Sequence, residues 1–355
     1  MKAYIKGAAA ISPQKSFDDT GFLDEVIFHN GITRLNCIEP VYRDFIDPMV
    51  SRRMSRVVKM GVSCALKCLK NTGIPMPDAI ITGTGLGCLE DTGKFLSSIY
   101  TSEEKLLNPT PFIQSTHNTV AGAIALAIKC HGYNSTYTHR GFSFESALAD
   151  ALLLLSENSE MNILAGGFDE FTADSLTITH RLGLWKNHPV DTENLFKSDS
   201  RGSIPGEGVA FFMLGGKKSS DDMASIVSME TTIMAEFPET ESGPVDQMIH
   251  KANIDPGNVD LVILGLNGDQ RTDIFYQRAM NGVFKGHACM AYKHLCGEFD
   301  TSSSFALWMA ASILKHQKIP ISLLKGDLNG KNINTILLYN HVRGFNHSLI
   351  LLERC

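Results

Sequence analysis

An α/β fold is what this sequence predicts, and three observations predict it. Short apolar runs with the character of buried strands alternate with helical patterns along the chain. The alternation comes as two series of similar order that meet near residues 205–215, which suggests two related halves, 1–208 and 209–355, in one compact unit. No low-complexity segment or clear linker separates them, and 355 residues suffice for one large core or two fused ones.

Met1 to Ile11 reads as a first strand, because its apolar run is too short for a secretory leader and passes straight into Ser12-Pro13. A loop-rich stretch follows to residue 50. From Ser51 the pattern turns helical. Met54, Val57, Val58, Met60, Val62, Ala65 and Leu66 form the apolar stripe, and Asn71-Thr72-Gly73 with Pro75 forms the stop. Arg52, Arg53, Arg56 and Lys59 on this helix read as a solvated face, with contact to phosphate or to an acidic partner as the alternative. Ala79 to Gly87 is a buried strand running into glycines. It lacks the last glycine and the acidic ribose partner of a dinucleotide site, so a tight structural turn is expected.

Leu107-Asn-Pro-Thr-Pro111 breaks the chain before a helix from Val120 to Ile128, whose small residues suit close packing or a subunit contact. Gly132 to Leu148 then runs as a strand, a turn at Arg140-Gly141 and a buried helix. A strand that breaks sharply into a helix is how many acyl-transfer enzymes present a nucleophile, with the helix N-terminus stabilising negative charge. The apex should carry Cys or Ser, yet it carries Gly141. Ser143 lies two residues beyond it and His139 two before. Such a pair transfers acyl groups only when hydrogen-bonded, and capping or packing is the plainer reading of Ser143.

Met161 to Gly167 is another strand, residues 186–203 are polar and loop-like, and Gly206-Glu207-Gly208 leads into the strand Val209–Leu214. The second series comprises strand 224–230, helix 244–253, strand 259–264, helix 273–283, strand 287–291, helix 304–316 and strands near 334–340 and 347–352.

Composition excludes several functions. The net charge of −6 argues against a general nucleic-acid or anionic-membrane surface. Eight scattered cysteines without CxxC pairs read as reduced thiols of a cytoplasmic protein, so neither a metal nor a cofactor site is expected. No segment approaches ~20 uninterrupted apolar residues, and no membrane span is predicted.

Five patches, in the right order, resemble the β-ketoacyl-acyl-carrier-protein synthases, condensing enzymes of thiolase fold. Gly132 precedes position 141 by the nine residues that separate the family's strand-end glycine from its active Cys. Gly206-Glu207-Gly208 matches the Gly-Glu-Gly motif. The His-Gly-Thr motif falls in Gly265 to Asp273, where the His position reads Gly265 counted back from Asp273, or Asn267 matched through Gly268. Lys-x-x-x-Gly-His appears as Lys293 to Gly297-Glu298, and Gly344-Phe345-Asn346-His347-Ser348 is similar to the closing glycine-rich loop.

The resemblance implies a five-layer αβαβα domain of two similar halves, usually dimeric. It also implies that the Cys-His-His positions of an active synthase here read Gly141, Gly265 or Asn267, and Glu298, with only Lys293 surviving. The implied function is that of a non-catalytic partner similar to a chain-length factor. Such a partner pairs with an active ketosynthase, or with itself, and is served by an acyl carrier protein in bacterial fatty-acyl, polyketide or aryl-polyene assembly. Phe112, Ile113, Phe142 and Phe144 are the candidates for lining an acyl pocket. The alternative is an acyltransferase or atypical synthase using Ser143 and His139.

Overall fold

The computed structural model describes residues 2–18, 21–234, 244–328 and 330–355. The strands are β1 (Ala3–Ile11), β2 (Ala79–Gly83), β3 (Tyr133–Tyr137), β4 (Asn162–Asp169), β5 (Gly208–Gly215), β6 (Ala224–Ile233), β7 (Leu261–Leu264), β8 (Ala288–Ala291), β9 (Thr335–Val342) and β10 (Asn346–Glu353). The helices of the first part are α1 (Gly21–Asp24), α2 (Pro48–Ser51), α3 (Arg56–Thr72), α4 (Leu89–Thr101), α5 (Pro109–Gln114), α6 (Thr119–Ile128), α7 (Ser143–Glu157) and α8 (Ala173–Arg181). Those of the second part are α9 (Pro244–Lys251), α10 (Gln270–Asn281), α11 (Lys293–Cys296) and α12 (Ser303–His316).

The strands hydrogen-bond in the order β3-β2-β4-β5-β1-β6-β10-β9-β7-β8. Ranked within its own part of the chain, each set of five has the same order from its outer edge, 3-2-4-5-1, so the two series repeat one topology. β5 belongs to the first set, antiparallel to both β4 and β1. The seam therefore falls in residues 216–223 and not at the expected 208/209, because Gly208–Gly215 completes the first sheet instead of opening the second.

Burial explains the layers. Val57, Met60 and Cys64 of α3 and Ile124 of α6 pack on the outer face of the first set, against Ile80, Leu164 and Phe211. Val245 and Met248 of α9 and Tyr276 of α10 cover the second set through Val262, Leu337 and Tyr339. Between the sheets lie α7 and α12, whose Phe144, Leu148, Phe305 and Met309 meet Ile81, Phe212, Ile263 and Ile350. This is the five-layer αβαβα arrangement. A sheet covered on both faces needs apolar residues at every position, and β5 is buried throughout. α12 is buried from Ser303 to Leu314, as a helix between two sheets must be.

The helical stripe after residue 50 begins at Arg56, since Arg52 and Arg53 lie in the turn after α2. Gly73 closes α3 with a φ of 67°, the left-handed stop that its position predicts. Arg56 is not part of a free basic face. Its guanidinium grips the fully buried Glu207 through two bonds of 2.5 and 2.6 Å, tying α3 to the Gly-Glu-Gly segment.

Candidate functional site

The turn after β3 is a 3₁₀ segment, Arg140–Phe142, that delivers the chain into α7. Arg140 takes a φ of 56°, rare for a residue with a Cβ, and its side chain is 59% exposed with the guanidinium 3.5 Å from Asp300. Gly141 is buried, and a Cβ added there would come within 2.9 Å of Val342. The side chain that the turn directs into the neighbouring cavity is thus that of Arg140, one residue before the expected apex. Ser143 is the first residue of α7 and not its cap; its Oγ is buried with no hydrogen-bond partner among the described residues. His139 is exposed and stacks on Phe142 with ring centres 5.6 Å apart. The structure does not bring Ser143 and His139 together as a nucleophile and base.

The opposite side of the cavity is built by the loop after β7 and the segment after α11. Gly265 has no space for a side chain, because an added Cβ would collide with Asn340 Oδ1 and Tyr276 OH. Asn267 reaches the cavity. Its Nδ2 donates to Glu298 Oε2 at 2.7 Å, and its Oδ1 accepts the Asp269 N–H at 2.9 Å. Lys293 donates to both oxygens of Glu298 at 2.9 Å and to the His341 carbonyl at 3.1 Å. The Lys293 side chain has no solvent contact, whereas that of Glu298 is 14% exposed and faces the cavity.

Two aspartates set this loop. Asp273 accepts the N–H groups of Asn267 and Gly268 at 3.0 and 2.8 Å, while burial pushes its carboxyl up to about 6. Asp269 caps α10. Its carboxyl is held below the usual range, the Arg271 guanidinium outweighing the larger opposing effect of burial.

Arg140, Asn267 and Glu298 converge on a cavity of about 360 Å³. Its apolar wall includes Leu86, Leu89, Phe171, Leu176, Leu184, Trp185, Phe299 and Val342. Asp169 and Glu170 at the end of β4 line it as well. Burial, reinforced for Asp169 by the nearby Asp300, pushes each of these two carboxyls up to about 7.

None of the four residues expected to line an acyl pocket borders this cavity. Phe144 is a core residue against Phe212, and Phe142 is buried beneath His139. Phe112 and Ile113 are on the surface, 54% and 64% exposed. The wall instead comes from α8 and residues 184–185, which the sequence reading passed over. The available signal was the i, i+3 pair Leu176 and Thr179 on a helix with no buried residue.

The arrangement has no thiol or hydroxyl at the turn. On the opposite side the cavity meets the Glu298 carboxylate, held by Lys293 and Asn267.

Residues 34–176 match the family model described as β-ketoacyl synthase, N-terminal domain. The whole chain has the ketosynthase fold. It is similar to a β-ketoacyl synthase from Burkholderia phymatum STM815, with a TM-score of 0.79 at 14% identity over 100% of this chain and 99% of that one. It is also similar to a type II PKS acyl-carrier protein in complex with its ketosynthase bound to the hexaketide, with a TM-score of 0.77 at 14% identity over 100% and 99%. A ketosynthase in complex with its chain length factor from Xenorhabdus doucetiae matches with a TM-score of 0.76 at 15% identity over 99% and 98%. No curated protein sequence matches the chain.

Proposed function

We propose that this chain is a non-catalytic, chain-length-factor-type partner of an active ketosynthase. The observation that carries the reading is the Lys293–Glu298–Asn267 network. By the resemblance two catalytic histidines are expected there, and the chain holds a hydrogen-bonded ion pair instead, facing a turn with Gly at its apex.

A partner subunit needs surface to offer. β3 is an outer strand of the sheet order. Leu126 and Tyr133 on α6 and β3 are exposed, as are Leu96 and Tyr100 on α4 and Phe112 and Ile113 on α5. Large apolar groups left in water in this density mark an interaction surface. We assign Phe112 and Ile113 to the heterodimer contact, where they would set the depth of a tunnel in the partner.

By the same resemblance an acyl carrier protein serves the complex, in a fatty-acyl, polyketide or aryl-polyene assembly. The eight free thiols fit a reducing cytoplasm, and no described helix is long and apolar enough to cross a membrane. The repeated strand order supports two related halves that act as one unit.

The test is co-expression with an active ketosynthase, followed by size determination and mass spectrometry after incubation with acyl-carrier-protein thioesters. A mixed dimer with the acyl adduct on the synthase alone is expected, and Phe112→Ala with Ile113→Ala should shift product length. An adduct on this chain would refute the reading.

A further inference from the structure

Five carboxylates line the cavity: Asp169, Glu170, Asp269, Glu298 and Asp300. Three of them face a cation. Arg271 stands 2.6 Å from Asp269, Lys293 2.9 Å from Glu298 and Arg140 3.5 Å from Asp300. Among the described residues Asp169 has no cation within ion-pair distance, but neutral donors fill both its oxygens. Thr84 Oγ1 and the Gly85 N–H lie on one at 3.0 and 2.8 Å, and the N–H and Oγ1 of Thr301 on the other at 2.9 and 2.8 Å.

Glu170 is different. One oxygen accepts the Glu90 N–H at 3.1 Å, and among the described residues the other has no donor and no ion-pair partner. The residue is only 7% exposed, and what it exposes faces the cavity. The nearest cation that acts on it, Arg56, is committed to Glu39 and Glu207, so the desolvation cost of the Glu170 carboxylate is one that a directly bound cation offsets. Around it the wall is hydrocarbon and indole. The remaining unpaired charge of the cavity, Arg343, sits exposed at the rim, where water and salt screen it.

We propose that the cavity binds a hydrophobic primary amine, with its ammonium on Glu170 and its hydrocarbon body against Leu176, Leu184 and Trp185. This goes beyond the partner-subunit reading and does not rest on it, because it concerns a small molecule held inside this chain. The volume of about 360 Å³ is that of a small-ligand pocket. A carboxylate–ammonium bond shielded from water is charge-assisted and directional, so the site distinguishes an amine from an alcohol or acid of equal length.

The experiment is isothermal titration of the full chain at neutral pH with n-octylamine, n-octanol and n-octanoate. Octylamine should bind about tenfold or more tighter than either other probe, and Glu170→Gln should remove that preference while changing octanol binding by no more than about twofold. Equal affinities, a preference for octanoate, or no binding by any probe would overturn the proposal. Leu184→Trp, which fills the cavity, should abolish amine binding; binding that survives it lies elsewhere and also overturns the assignment. If Glu170→Gln does not fold, the three-probe comparison on the native chain decides.

Discussion

Replacing Glu298 by Gln removes the charge facing an ammonium that water cannot reach. Lys293 donates twice to Glu298 at 2.9 Å and once to the His341 carbonyl at 3.1 Å. Breaking one side of a buried pair costs about 3–5 kcal/mol. The surviving His341 bond and the remaining Gln oxygen place Glu298→Gln at the low end, a loss of about 3 kcal/mol. Lys293→Met leaves a carboxylate that touches solvent and keeps the Asn267 bond, so it should cost less, about 1–2 kcal/mol.

The double variant Lys293→Met with Glu298→Gln removes both charges. Asn267 can still donate to the Gln oxygen and the His341 carbonyl loses its Lys293 bond, which keeps the loss to about 1–2 kcal/mol, well below the sum of the single losses. Urea unfolding followed by circular dichroism measures all four proteins of the cycle. Additive losses, with the double variant as unstable as the two singles together, would refute the argument. In that case Glu298 would not be held there by Lys293, and the network could not be read as a structural replacement for catalytic groups.

The remaining predictions concern the turn and the buried histidines. Ser143→Ala deletes a buried hydroxyl that has no partner among the described residues, so it should raise stability by about 1 kcal/mol and leave any acyl transfer unchanged; a lower melting temperature would reveal a bond to Oγ. Arg140→Cys should give a thiol open to iodoacetamide at the cavity, whereas Gly141→Cys should strain against Val342 and stay unreactive; peptide mapping separates either from the eight native cysteines.

His294 lies buried beside Phe28 and Phe196, and burial lowers its pKa to about 3. A histidine so depressed stabilises the fold fully above its unfolded value, about 6.5, and loses that contribution as pH falls towards the folded value. The stability of native protein relative to His294→Leu should therefore drop by about 1.4 kcal/mol per unit below pH 6, reaching about 3 kcal/mol at pH 4. A pH-independent difference would show that the imidazole is solvated.

Much of the fold was legible because it rests on local patterns. Strands covered on both faces read as unbroken apolar runs, as β5 and β7 do. Gly73 marks the end of α3, and Asp269 announces α10 by capping it. That position 141 holds Gly and position 298 Glu is likewise a plain fact of the sequence. The position of the seam was not. Gly208–Gly215 has the same apolar character whichever sheet it joins, and only its pairing with β4 and β1 assigns it to the first.

The sequence by itself determined the layered α/β architecture and that positions 140 and 141 carry Arg and Gly, with neither Cys nor Ser at the apex. Both follow from residue type and short-range periodicity. Tertiary structure alone decided that Arg140 faces the cavity while Gly141 is closed off, since Val342 from a distant hairpin occupies the space beside that glycine. It likewise decided between Gly265 and Asn267 as the residue reaching the cavity, because Asn340 and Tyr276 leave the first no room. Which side of a turn is open depends on what packs against it. In this chain those neighbours come from the β9–β10 hairpin and α10, far away along the sequence.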